Sequence, residues 1–263
     1  MNADDLDALC EIAEDAGREI MQVYAAGGGV WSKADSSPLT EADLRADKLI
    51  RARLEGRFPG VFILSEESVS EGAGASGALF LVDPLDGTKE FLKRSDEFTV
   101  NIAFVQEGAP VAGVVHAPAL GETFFAAADV GAWKRVGAGA AAPIRTQGFD
   151  GQRPLRIIGS RSHGGEQLAQ WLSRLNRPHD FVAAGSSLKF CRIAEGTADL
   201  YPRFGLTSQW DTAAAQAVLT IAGGLVTDFA GAPLVYGVQR PVLNPDFVAC
   251  GGADLLRLFR DSL

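Results

Sequence analysis

The stretch Leu81-Val82-Asp83-Pro84-Leu85-Asp86-Gly87-Thr88-Lys89-Glu90-Phe91 decides how this chain is read. It opens at the end of an apolar run, Leu79 to Val82, which has the length of a buried strand, and then turns polar at once. The strand delivers Asp83 at its carboxyl end, Pro84 stiffens the turn, Asp86 projects from it, and Gly87 lets a helix begin closely at Thr88. Binding sites in α/β sheets lie at such strand ends. Unpaired N–H groups of the helix can receive phosphate oxygens there, while carboxylates hold hard cations beside them. For any one aspartate, an ordinary helix N-cap is the commoner explanation. Two aspartates three residues apart around a proline, followed by Gly-Thr, exceed what one cap requires.

Upstream, Leu6, Leu9, Ile12, Ala13, Ala16, Ile20 and Val23 recur at helical spacing, predicting an amphipathic helix from about Asp4 to Tyr24 that ends at the glycines 27 to 29. A second helix is expected from Thr40, which has capping-box spacing to Asp43, with Leu44, Leu49, Ile50 and Leu54 as its buried stripe. Val61 to Leu64 reads as a strand, joined to Leu79–Val82 by a Gly-rich loop. Downstream, Phe98–Val105, Val111–Ala117 and Thr123–Ala127, with turns at Gly108-Ala109-Pro110 and Pro118 to Gly121, carry the pattern of an antiparallel meander.

The second half alternates. Strands are predicted at Leu155–Gly159, Phe181–Ala184, Leu200–Pro202, Leu225–Asp228 and Phe247–Ala249, and helices at Glu166–Leu175, Leu188–Ala194, Thr212–Ala222 and Ala253–Arg260. Such alternation favours a mixed sheet layered with helices. The Gly/Ala-rich run from Gly137 to Pro143 is taken as a boundary, giving an N-terminal α+β subdomain over residues 1–142 and a C-terminal α/β subdomain over residues 143–263.

Composition narrows the function. With 263 residues, 47% of them apolar, the chain can bury a large core. A net charge of -9 argues against binding a nucleic-acid polymer, which needs Lys and Arg against phosphates. An acidic protein acting on an anion must make positive charge locally, and a divalent metal does so. Cys10, Cys191 and Cys250 share no close spacing, so neither a disulfide framework nor a zinc site is expected, and a reducing cytoplasm fits. No apolar run reaches the roughly 20 residues that span a bilayer.

Two further acids stand at element ends: Glu66 after the strand Val61–Leu64, and Asp211 before the helix from Thr212. Alone, each is as readily a solvated loop acid or a cap. Gathered with Asp83 and Asp86 they make an all-oxygen site suited to magnesium and poor for zinc.

These residues resemble the inositol-monophosphatase superfamily. Its Asp-Pro-x-Asp-Gly-Thr hallmark stands at Asp83 to Thr88, with Glu66-Glu67 and Trp210-Asp211 as companions, and the match covers nearly the whole chain. The runs Phe98 to Ala103, Gly185 to Cys191 and Leu200 to Phe204 resemble the bacterial CysQ-type 3'(2'),5'-bisphosphate nucleotidases within it. The resemblance implies a layered α/β (α+β) sandwich of alternating helices and sheets in two subdomains. It implies a phosphatase that removes the 3'-phosphate of 3'-phosphoadenosine 5'-phosphate in support of sulfur metabolism, and leaves open whether 3'-phosphoadenylyl sulfate is also accepted. Two or three magnesium ions per site would be held by Glu66, Asp83, the main-chain carbonyl of Leu85, Asp86 and Asp211. Thr88, with Asp43 behind it and Glu66 beside it, would orient the attacking water. The backbone of Gly87 and Thr88 would receive the scissile phosphate, and His163, Ser186, Lys189, Arg203 and Asp211 would hold the nucleotide. Lithium sensitivity is implied in the same way. The resemblance leaves open a monomer or a homodimer, and either a free cytoplasmic protein or loose peripheral attachment at the inner membrane.

Taken without the family, Lys189 and Arg203 read as solvated charges, His163 as a surface loop residue, and Asp43 as the third residue of a capped helix. Gly72 to Gly77 matches a dinucleotide fingerprint in letters, but a strand follows where a helix is required. The aspartate pair is spaced three apart and cannot serve as the Asp-x-Asp of aspartyl-nucleophile phosphatases, and His116, His163 and His179 accompany no nucleophile elbow. Two alternatives stay in view: a phosphatase for inositol monophosphate or another small alcohol phosphate, and a silent anion-binding module.

Overall fold

The computed structural model describes residues 1–27, 29–32, 38–67, 77–160 and 165–263. Helix α1 (Ala3–Ala26) starts at a capping box between Asn2 and Asp5 and stops where Gly27 turns left-handed, its N–H donating to the Val23 carbonyl. A short antiparallel pair, β1 (Val30–Ser32) and β2 (Pro38–Thr40), follows. Helix α2 (Glu41–Arg57) begins at the expected Thr40/Asp43 capping box. Its buried stripe differs from expectation: Leu44 is 46% exposed, and the inner face is Ala42, Asp43, Ala46, Asp47, Ile50 and Leu54. Small residues at 42 and 46 let α2 lie close, and both buried acids are bonded, Asp43 by Thr40 and Asp47 by the Ser65 hydroxyl.

The first sheet runs in chain order: β3 (Phe62–Ser65), β4 (Ala78–Asp86), then, past helix α3 (Thr88–Leu92), β5 (Thr99–Gln106), β6 (Ala109–Ala117), β7 (Glu122–Ala127), β8 (Gly131–Val136) and β9 (Ala142–Pro143). β3 and β4 are parallel, and every later pair is antiparallel. The β5–β6 turn sits one residue earlier than expected. Glu107 and Gly108 take φ of 52° and 81°, the left-handed pair that a two-residue hairpin requires, and Pro110 falls inside β6 beside a register shift.

The second sheet comprises β10 (Leu155–Ser160), β11 (His179–Ala184), β12 (Leu200–Arg203), β13 (Leu225–Asp228) and β14 (Phe247–Cys250), in the order β11-β10-β12-β14-β13. β11 and β12 run parallel to β10, and β14 is antiparallel to both its neighbours. Helices α4 (Glu166–Arg174), α5 (Leu188–Ala194), α6 (Gln209–Ile221) and α7 (Ala253–Asp261) lie between and behind these strands.

Strand alternation sorts the core into layers. In the first sheet Phe80, Val82, Ile102 and Val114 pack against α1 and α2, while Leu79, Leu81, Ala103 and Val115 face α5 and α6. In the second, Phe247 and Ala249 face that same middle layer, and Val248 and Cys250 face Trp171 of α4 and Phe259 of α7. The result is the expected sandwich: helices, sheet, helices, sheet, helices. Helix α6 is buried on nearly every side because it lies between two sheets. It approaches the first sheet so closely that a Cβ at Gly113 would stand 2.3 Å from the Ala214 carbonyl oxygen. The three cysteines are free and buried. Among the described residues no helix is long and apolar enough to cross a membrane.

Candidate active site

The hallmark segment folds into the end of β4, the Gly87 turn and α3. Strand β4 pairs with β5 up to Asp83, skips, and pairs again at Asp86 with Thr99, so a bulge lies between the two aspartates. The Leu85 N–H donates to Asp83 Oδ1 at 3.1 Å, and the Thr88 hydroxyl donates to the Leu85 carbonyl at 3.4 Å. Gly87, at φ 89°, makes the left-handed turn that starts α3.

Three elements converge on Asp83. Carboxylate oxygens of Glu66, Asp83 and Asp211 lie within 4.8 Å of one another. Glu66 is placed by its N–H, which donates to the Val82 carbonyl at 3.1 Å just after β3. Asp211 sits within α6 rather than before it, since the helix begins at Gln209, three residues earlier than expected. The reason is a third capping box: the Ser208 N–H donates to Asp211 Oδ2 at 2.8 Å.

The electrostatics follow from burial among like charges. Burial, then the charges of Glu66, Asp86, Asp211 and Asp43, hold the Asp83 carboxyl well above the usual carboxylate range. Burial and the Asp86 charge push Asp211 up to about 8, against the opposing Ser208 N–H. An all-oxygen donor set in which like charges crowd together fits a hard divalent cation, which would restore ionised carboxylates.

Asp86 stands at the rim of this cluster. Its Oδ2 accepts from the Ser186 hydroxyl at 2.6 Å, the Ser187 N–H at 2.7 Å and Asn101 Nδ2 at 3.4 Å. Beside it opens a cavity of about 290 Å³. Its lining includes Glu66, Asp83, Asp86 and Asp211 with Leu85, Gly87 and Thr88, and also Ser186, Lys189 and Arg203.

The two cations are not the solvated charges that their sequence context alone suggests. Lys189 is 5% exposed, donates to the carbonyls of Ser186 and Ala184, and lies 5.3 Å from the Tyr201 ring centroid. Burial lowers it to about 8, with the nearby acids Asp86, Glu90 and Glu97 opposing. Arg203, 9% exposed, donates to the carbonyls of Gly205 and Leu206. Asp43 is not on the cavity wall. It is tied into the α2 cap and reaches the cluster as one of the charges acting on Asp83. His163 lies outside the described residues.

Thr99, Asn101 and Ser187 had no role assigned from sequence, yet they form the hydroxyl and amide web beneath Asp86. The available signal was a pair of polar residues, Thr99 and Asn101, alternating at the start of a largely apolar strand that begins beside the hallmark turn.

The chain belongs to the inositol monophosphatase family, which residues 1–254 match. It is similar to the 3'(2'),5'-bisphosphate nucleotidase CysQ of Escherichia coli strain K12, 46% identical over 246 residues that cover 92% of this chain and 98% of that protein. The Haemophilus influenzae protein of the same name is 37% identical over 94% of this chain and 92% of its own length. Among solved structures, CysQ from Bacteroides thetaiotaomicron superposes with a TM-score of 0.81 at 35% identity, covering 94% of this chain and 97% of that one. An inositol monophosphatase from Thermotoga maritima gives the same TM-score at 25% identity, with 98% of each chain covered.

Proposed function

We propose that this chain is a magnesium-dependent 3'(2'),5'-bisphosphate nucleotidase that hydrolyses the 3'-phosphate of 3'-phosphoadenosine 5'-phosphate to give AMP and phosphate. 3'-Phosphoadenylyl sulfate, which presents the same 3'-phosphate, is a second candidate substrate. The observation that carries the reading is the make-up of one cavity: it is lined both by the acids Glu66, Asp83, Asp86 and Asp211 and by the cations Lys189 and Arg203. A substrate with two phosphates uses both sets of residues, one phosphate at the acid-held cations and one at Lys189 and Arg203. An inositol monophosphate uses only the first.

In this reading Glu66, Asp83, the Leu85 carbonyl, Asp86 and Asp211 hold the magnesium. When bound, it supplies a lowered water pKa and neutralises charge on the phosphoryl oxygens. The backbone at Gly87 and Thr88 receives the scissile phosphate, and the Thr88 hydroxyl and Glu66 orient the attacking water. Asp43 acts from behind, through the negative field it adds at Asp83. Lys189, anchored on two carbonyls, is a fixed positive point, and Arg203 presents a planar fork to the non-reacting phosphate. The Ser186 hydroxyl donates to Asp86 and the Ser186 carbonyl accepts from Lys189.

The similarity to nucleotidases at 46% identity, against 25% for an inositol monophosphatase, supports this substrate class over the alternative. The presence of every expected ligand acid supports activity over a silent anion-binding role. Turnover of 3'-phosphoadenosine 5'-phosphate and of inositol 1-phosphate, compared in magnesium, tests the choice. A strong preference for the bisphosphate is expected, and equal or reversed preference overturns it.

A further inference from the structure

Among the described residues only four non-glycine residues have positive φ, and three of them, Arg94 (57°), Asp96 (60°) and Ser186 (53°), lie in two loops that touch beside the acid cluster. Left-handed backbone is strained for such residues and persists only where surroundings fix it. The fixing contacts are plain. In the loop after α3, Arg94 lies 4.3 Å from the Tyr24 ring centroid and donates to the Tyr24 carbonyl, while the Tyr24 hydroxyl donates to Asp96 Oδ1 at 2.8 Å. The Ser95 N–H donates to the Glu90 carbonyl at 3.0 Å.

This braced loop presents Glu97 to the second loop. Glu97 Oε2 accepts the Gly185 N–H at 2.9 Å, and a Cβ at 185 would stand 2.7 Å from the Glu97 carbonyl oxygen and 2.8 Å from Glu90 Cγ. The fit admits only glycine. One residue on, Ser186 takes its left-handed turn, and the Ser186 hydroxyl and Ser187 N–H both meet Asp86 Oδ2. With those donors on Oδ2, Oδ1 is the oxygen left to meet a cation.

We propose that Glu97 is a positioning residue for the metal centre: by holding Gly185 it fixes the Ser186–Ser187 turn, which sets which oxygen of Asp86 faces the cation. The inference rests on the reading of Asp86 as a magnesium ligand. Partners of this kind typically carry 10- to 100-fold in metal affinity.

Magnesium binding to the metal-free protein, measured by titration calorimetry without substrate, tests it. E97A should weaken magnesium binding by roughly tenfold, while E97Q, whose amide oxygen still accepts the Gly185 N–H, should stay within about threefold of wild type. S186A, which removes one donor from Asp86 without touching the loop contact, should shift affinity in the same direction as E97A. Wild-type affinity in E97A overturns the proposal, and so does an E97Q as weak as E97A, since charge rather than the accepted hydrogen bond would then be the cause. If E97A does not fold, E97Q and S186A decide: a weak E97Q, or an S186A of wild-type affinity, overturns it. Asp86→Asn is the control. If it binds magnesium like wild type, the ligand reading has failed rather than the role of Glu97.

Discussion

Asp83 and Asp199 are both shut away from water at strands, 2% and 0% exposed, and their surroundings treat them in opposite ways. Asp199, just before β12, receives the guanidinium groups of Arg153 and Arg156 and the Arg156 N–H at 2.8 Å. These bonds overcome its burial and hold its carboxyl down to about 2. Asp83 has Glu66, Asp86 and Asp211 for neighbours, and its carboxyl is held far above the usual range. One acid is satisfied by the chain itself and ties β10 to β12. The other is left for something the chain does not contain. Burial therefore does not distinguish a structural acid from a ligand; the sign of its neighbours does.

Removing the charge at the two places should break the comparison open. The largest effect is expected for Asp83→Asn, which should lower kcat by at least about 10³-fold, since a cation contributes several kcal/mol at the reacting phosphate. Circular dichroism should show an intact fold, and near-normal turnover would refute the ligand assignment. Next comes Asp199→Ala, which leaves two arginines unpaired, each about 28% exposed. A loss of about 2–3 kcal/mol is expected, at or below the usual range for breaking a buried pair because water still reaches the arginines. Urea titration measures it, and kcat should hardly change.

Smaller, and opposite in sign, is the effect at Asp211. In metal-free protein Asp211→Asn removes an acid crowded by others, so its thermal midpoint should rise by roughly 2–4 °C for each kcal/mol relieved, while magnesium should raise the midpoint of wild type and much less that of the variant. A fall in the metal-free midpoint would contradict the picture of uncompensated charge. The smallest effect is a pH slope. Asp211 has a folded pKa of about 8, above its unfolded value, so its contribution is full in acid and is lost as pH rises through 8. Asp199 is depressed to about 2, so its contribution is present above its unfolded value and is lost as pH falls toward 2. Metal-free stability should thus decline between about pH 4 and pH 8, by less than about 1.4 kcal/mol per unit for one proton, and the slope should flatten in saturating magnesium. An unchanged slope would count against it.

What the sequence made legible was local. The Thr40/Asp43 capping box, the bounds of α5 and the strand-turn-helix around Asp83 each rest on residues a few positions apart, and each is found as expected. The short pairs β1–β2 and β8–β9 went unseen, because strands of two to six residues with little apolar content carry no periodic signal. Leu44 was placed inside because apolar spacing does not say which stripe of a helix faces inward, and in α2 the inner stripe includes two satisfied acids. At the site, Asp83, Asp86 and Asp211 announced themselves as acids at element ends. The web of Thr99, Asn101, Ser187 and Glu97 did not, since its bonds join residues 86 to 88 positions apart.

The missing side chain at Gly113 sets a dimension of the catalytic machinery. Helix α6 carries Asp211 in its first turn and, one turn further on, rests Ala214 directly on the strand beside it, main chain against main chain. Asp83 comes from the same sheet. The gap between two carboxyl groups in different halves of the polypeptide is thus gauged by a spacer of zero thickness, and a single methyl introduced there would act as a shim, prising one jaw of the vice away from the other.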